Sequence, residues 1–201
     1  MLYLNNQNIK TMRKIIILLV LAVTFSCNSE DIRKDNYPTG ELRTETPYEN
    51  EVKHGIEKSY FKSGKLLYEE PYVDGKKEGV YKTYFESGKL HSELTYVNDL
   101  EDGVEKQYYK TGEELEYELI WVNGKREGVK KEYYIDGKIK KEIPYVNDRQ
   151  HGVEKTYFES GKLSAESPYV NGEINGLEKH YDESGKLSTT IKFVNGEVIQ
   201  D

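Results

Sequence analysis

The sequence predicts an all-β protein, an elongated antiparallel meander of repeated β-hairpins, and three observations carry that prediction. Glycine recurs in two series of 24-residue period, Gly55, Gly79, Gly103, Gly128, Gly152, Gly176 and Gly40, Gly64, Gly88, Gly112, Gly137, Gly161, Gly185, with one step of 25 in each. A fixed period of this length marks a stacked repeat. The residues are 36% hydrophobic and include 18 Tyr against 5 Phe and 1 Trp. Tyrosine favours strands and tolerates one wet edge, which suits half-exposed sheets better than a deep apolar core. Finally, opposite charges face each other when each Ser-Gly or Asp-Gly pair is read as a two-residue hairpin turn.

In chain order, the first element is a leader. Lys10, Arg13 and Lys14 precede an apolar run from Ile15 to Val23, too short to cross a bilayer but suited to the core of a secretory signal, with Met12 as an alternative start. Ser26 then precedes Cys27, the only cysteine. This stretch resembles a bacterial lipoprotein signal, although Thr24 stands where that pattern prefers Leu. The resemblance implies removal of residues 1–26, lipid attachment at Cys27 and, with Asn28 next, delivery to the outer membrane. Glu30 and Asp31 are similar to the surface-export signals of some lipoproteins. Acyl chains hold a protein at a bilayer by burying methylenes, at about 0.8 kcal/mol each. Residues 27–37, polar and without periodicity, read as a flexible tether.

The repeat domain spans residues 38–201, as one half unit at Leu42 to Tyr48 followed by six hairpins. The consensus is G-V-E-K-x-Y-F-x-S-G-K-L-x-x-E-x-P-Y-V-N-G, and "YFESGKL" occurs unchanged at Tyr84 to Leu90 and at Tyr157 to Leu163. Residues opposed across a turn have numbers summing to the same value as the turn pair. That rule sets Lys58 opposite Glu69, Lys82 opposite Glu93, Lys131 opposite Glu142 and Lys155 opposite Glu166. Lys106 and Glu118 miss by one because a residue is inserted after Gly112, so a longer turn is expected there. Lys179 faces Thr190, so the last unit has lost its carboxylate, as terminal repeats often do.

Pro47, Pro71, Pro144 and Pro168 occupy one phase of the second strand, and their missing N–H predicts that the hairpin ladder stops near the Lys/Glu pair. The whole meander would hold about 13 strands and extend about 60 Å. Tyr60, Tyr84, Tyr108, Tyr133, Tyr157 and Tyr181 form one aromatic row, and Tyr48, Tyr72, Tyr96, Trp121, Tyr145, Tyr169 and Phe193 a second. Both rows supply the core of so thin a sheet. The first row together with Trp121 is the candidate interaction surface, and the places where units differ, Trp121, the insertion and the last repeat, are the informative ones.

The unit G-x-x-K-x-Y-Y-x-x-G-K-L-x-x-E-x-x-Y-x-N-G resembles the variant MORN (membrane occupation and recognition nexus) repeat from about Tyr37 to Asp201. The resemblance implies a twisted antiparallel sheet used for binding or scaffolding. Bacterial proteins of this variant are commonly antitoxin-like, which gives an alternative role as a cytoplasmic antitoxin or immunity protein. A second alternative, phospholipid binding, is weakened by the acidic balance.

Chemistry is not expected. The net charge is -7 and lysines alternate with glutamates, which excludes nucleic acid as the main partner. His54, His91, His151 and His180 lack metal-site spacing, so neither metal nor cofactor is predicted. The repeated glutamates lack the asymmetry of an acid/base pair, and the hairpin-tip serines have no partnered base. The expected protein is therefore a non-enzymatic, membrane-anchored ribbon that binds a protein or glycan.

Overall fold

The computed structural model describes residues 31–199; the expected leader, Cys27 and residues 28–30 lie outside them. Among the described residues all regular structure is β, with 20 antiparallel strands in one open sheet. Long strands pair as seven successive hairpins. Hairpin 1 joins Asp31–Asn36 to Leu42–Glu49, hairpin 2 Gly55–Tyr60 to Leu66–Val73, hairpin 3 Gly79–Tyr84 to Leu90–Val97, and hairpin 4 Gly103–Tyr108 to Leu115–Val122. Hairpin 5 joins Lys125–Tyr133 to Ile139–Val146, hairpin 6 Gly152–Tyr157 to Leu163–Val170, and hairpin 7 Gly176–Tyr181 to Leu187–Val194.

Hairpin 1 corrects the expected tether and the half unit. Asp31–Asn36 is a fully exposed edge strand paired with Leu42–Glu49, so the unit is complete. Its sequence lacks the repeat glycine and tyrosine, and for that reason reads as coil. What holds it is the open edge of the next strand, an ion pair from Lys34 to Glu45 at 2.8 Å, and the Arg33 guanidinium 4.0 Å from the Tyr48 ring centre. The register signal was present: Lys34 and Glu45 obey the sum rule about Thr39 and Gly40.

The turns are exchanged relative to expectation. At the Ser-Gly tips the loop has three residues, with Phe85 N–H donating to the Lys89 carbonyl and Gly88 N–H to the Phe85 carbonyl. This is a type I turn closed by a bulge, and Gly88 supplies the positive φ of 89° that the bulge needs. A second bulge, at His91, then shifts the register by one between Thr83 and Tyr84. The two irregularities cancel, so Lys82 still faces Glu93 although the turn is not a two-residue one. The true two-residue turns are the links. Asp74-Gly75 and Asn123-Gly124 both have positive φ at each position, the type I′ form that Asn-Gly and Asp-Gly favour. At the insertion, Tyr109 N–H reaches the Glu114 carbonyl, giving the lengthened turn, and Lys106 faces Glu118.

The prolines do not end the ladder. Pairing continues through Ile56↔Pro71 to Gly55↔Tyr72. The Pro71 carbonyl accepts the Glu78 N–H at 3.1 Å, on the side of the link. In a strand the N–H of a residue points the same way as its C=O, so the bond that proline lacks faces the link rather than the hairpin partner.

Successive side chains alternate between the two sheet faces. The front face carries the Lys/Glu pairs, the Tyr60 row and the prolines; the back face carries the second aromatic row. Apolar burial is slight: Leu119 and Ile143, at 5% and 7% exposure and both on the back face, are the buried hydrophobic residues among those described. Polar groups supply most of the remaining interior.

Candidate binding surface

On the front face, charge pairing runs across hairpins as well as within them. Glu45 lies opposite Lys34 in hairpin 1 and opposite Lys58 of hairpin 2, and Glu69 lies between Lys58 and Lys82 in the same way. One row therefore crosses the sheet: Lys34, Glu45, Lys58, Glu69, Lys82, Glu93, Lys106, Glu118, Lys131, Glu142, Lys155, Glu166, Lys179, Thr190. Three of its ion pairs bridge hairpins: Lys106 to Glu93 at 3.4 Å, Lys131 to Glu118 at 3.3 Å and Lys179 to Glu166 at 3.4 Å. The hairpin arithmetic gave half of these neighbours; the other half depends on the link geometry.

The six tyrosines of the first row are brought together here, half-buried, each donating its phenol to the glutamate of the preceding hairpin. Tyr60 bonds Glu45, Tyr84 Glu69, Tyr108 Glu93, Tyr133 Glu118, Tyr157 Glu142 and Tyr181 Glu166, at 2.7 to 3.2 Å. Burial, then the bonded carboxylate, pushes the phenols of Tyr60, Tyr84, Tyr133 and Tyr157 up to about 12. These hydroxyls are engaged in joining hairpins. The row is therefore a structural seam whose ring faces alone remain for a partner.

Trp121 is not with them. It lies on the back face, opposite Gly103, as Tyr72 lies opposite Gly55 and Tyr145 opposite Gly128. An aromatic ring beside a strand glycine covers the backbone that the glycine exposes. Cations stack on this row as well, Lys53 over Tyr72 at 4.4 Å and Arg126 over Tyr145 at 4.7 Å. Trp121 instead donates Nε1–H to Glu105 at 2.7 Å, and Tyr117 donates to the other oxygen of that carboxylate at 2.6 Å.

Sequence reasoning missed the buried carboxylates of this face. Glu57, Glu70 and Glu154 are 7 to 8% exposed. Glu57 accepts from Lys53 at 2.7 Å, and from Thr46 and Tyr68 at 2.9 Å each. Burial works to raise its pKa, but the hydrogen bonds from Lys53, Thr46 and Tyr68 together outweigh it and hold the carboxyl below its ordinary value. The signal for Glu57 and Glu154 was the repeated Glu of G-V-E-K, one residue before the front-face lysine and hence on the other face; Glu70 follows the front-face Glu69 on the return strand and lies opposite Glu57.

A groove of about 440 Å³ opens at the tips of hairpins 3 to 5, lined among others by Phe85, His91, Tyr109, Lys110, Glu116 and Ile135. Phe85 and His91 pack with ring centres 4.4 Å apart and planes tilted by 50°, and His91 lies 3.2 Å from the Thr83 hydroxyl. Gln107 holds Glu116 at 2.8 Å, while Tyr109 donates to the Tyr133 carbonyl at 2.6 Å. Thr83 and Gln107, which meet His91 and Glu116, lie on the back face, as do Tyr117 and Trp121, while Tyr108 of the front-face row also lines the groove. Thr111, in the lengthened turn, also lines it.

The family described as MORN repeat variant matches residues 53–74, 77–98, 126–147, 150–171 and 174–195, together more than half of the chain. Between residues 98 and 126 the matched segments leave out hairpin 4, the unit with the insertion and the tryptophan, which supplies Tyr109, Lys110 and Glu116 to the groove. No curated protein matches the chain.

Proposed function

Because the chain belongs to the MORN repeat variant family, whose repeats are generally binding modules, we propose that it is a non-catalytic interaction protein of a bacterial outer membrane. It is held there by lipid on Cys27 and presents its ribbon to a protein or glycan partner. The observation that carries this reading is the back face of hairpin 4. There the repeat departs from the family unit, and there an aromatic groove with a few polar groups opens, within the size range of ligand pockets. The front-face tyrosines act as a seam, so the contact is assigned to Tyr109, His91, Ile135 and Trp121 instead.

The leader pattern before Cys27 supports the anchor. The first strand begins at Asp31, and four residues of chain reach at most about 14 Å. Lipid on Cys27 would thus keep hairpin 1 against the bilayer surface. Fractionation of cells fed a clickable fatty acid tests the anchor: the parent is expected in the membrane fraction and labelled, the C27A variant soluble and unlabelled. Equal fractionation of the two would remove the anchor and favour the cytoplasmic antitoxin-like role.

A further inference from the structure

The front face carries an exposed apolar band that the binding surface on the back face does not use. Beside the Lys/Glu row, two residue pairs further from the tips and so on the same face, stand Ile56, Val80, Val104, Val129, Val153 and Leu177, each 39 to 50% exposed. Pro71, Ile120, Pro144 and Pro168 lie directly opposite four of them. A second line, from Val73 to Val194, runs alongside at 41 to 47% exposure. An apolar strip of this length is far larger than single exposed side chains need explain.

We infer that this band is the interface of a homodimer, in which the front faces of two copies pack together about a two-fold axis lying between the sheets and parallel to the strands. Such an axis lays band on band and charge row on charge row, and reverses the order of hairpins. Passed between Lys106 and Glu118, it sets Lys106 of one copy over Glu118 of the other, then Glu93 over Lys131, Lys82 over Glu142, Glu69 over Lys155, Lys58 over Glu166 and Glu45 over Lys179. Every glutamate of the row meets a lysine. A shift by one strand would set lysine on lysine, so the row also fixes the register. Thr190, where the repeat calls for glutamate, falls over Lys34 at each end.

The period argues for a second copy over an unrelated partner, because only a sheet with the same hairpin spacing can meet the band along its whole length. Fourteen strands of about 4.8 Å and a band about 20 Å wide give about 1,300 Å² per copy, against about 800 Å² per partner in a standard interface. Face-to-face sheets keep their strands within about 30° of each other, as this axis requires.

The test uses full-length protein carrying C27A, so that no native cysteine remains. V104C and I120C are made as separate proteins, mixed and treated with a short bismaleimide. The mixture is expected to give a covalent dimer of twice 23.4 kDa, and S87C, at a tip away from the band, to give almost none with either. Light scattering at about 100 µM should report a dimer for the C27A parent, and V104K should weaken it by roughly ten-fold or more, since it buries an unpaired charge. V153K repeats the measurement if V104K loses its sheet circular dichroism. A monomeric parent, equal crosslinking through S87C, or a dimer indifferent to the folded lysine variants would overturn the inference. None of these outcomes bears on lipid attachment or on the hairpin 4 groove.

Discussion

The Tyr133 phenol donates a 2.8 Å hydrogen bond to Glu118, fifteen residues earlier and in the preceding hairpin. Lys131 bonds the same oxygen at 3.3 Å. This contact repeats along the ribbon, and it joins each hairpin to the one before it. Tyr133→Phe should therefore destabilise the fold by about 1 kcal/mol, the usual net worth of one such bond. A urea cycle with Glu118→Gln checks it, and additive effects of the two substitutions would deny the coupling.

Alkali should unfold the ribbon by ionising these phenols. Their folded pKa values are raised, so the neutral form is the one stabilised. That stabilisation is complete below pH 10 and is lost as pH rises through about 12 for Tyr60, Tyr84, Tyr133 and Tyr157. Tyrosinate absorbance of the native protein should lag behind that in denaturant and rise together with loss of sheet signal. Overlapping titrations would contradict the seam.

Acid acts on the other face. The Glu57 carboxyl is held below its ordinary value, so its contribution is present above that value and lost as pH falls through the folded pKa. Glu57→Gln should lower stability near neutrality and flatten the acid limb of the stability profile. An unchanged acid limb would place the acid sensitivity in other carboxylates.

The bend at each repeat glycine should not admit a side chain. Gly176 has φ of 125°, and a Cβ there would lie 2.9 Å from Pro168 Cγ. Gly176→Ala should cost about 1 to 3 kcal/mol from the backbone and crowding together. Gly40→Ala, at φ 101° but with open space around it, separates the two contributions: its loss should be smaller.

Much of the fold was legible because charge and glycine keep phase over 24 residues. Lys82 and Glu93 were placed correctly even through a wrong turn type, since the tip and the bulge at His91 offset each other. The links were misread for a reason visible in the sequence: Asn-Gly is the stronger two-residue turn, and "VNG" carried it. Hairpin 1 was lost because Asp31 and Asn36 replace the glycine and tyrosine that mark the period, although Lys34 and Glu45 kept it. For the site, Trp121 and the insertion after Gly112 are visible in the sequence as departures from the repeat, and both fall in hairpin 4. That His91 and Glu116 line one groove with Phe85 and Tyr109 depends on bulges that composition does not reveal.

The most direct test of the binding role places a photoreactive amino acid at Ile135, on the rim of the groove and 58% exposed, or at Ser184, on the tip of hairpin 7, in the full-length protein in intact cells. Illumination is expected to give one discrete adduct heavier than the homodimer from position 135 and none from 184. No adduct from 135, or the same smear from both positions, would contradict a partner seated on hairpin 4.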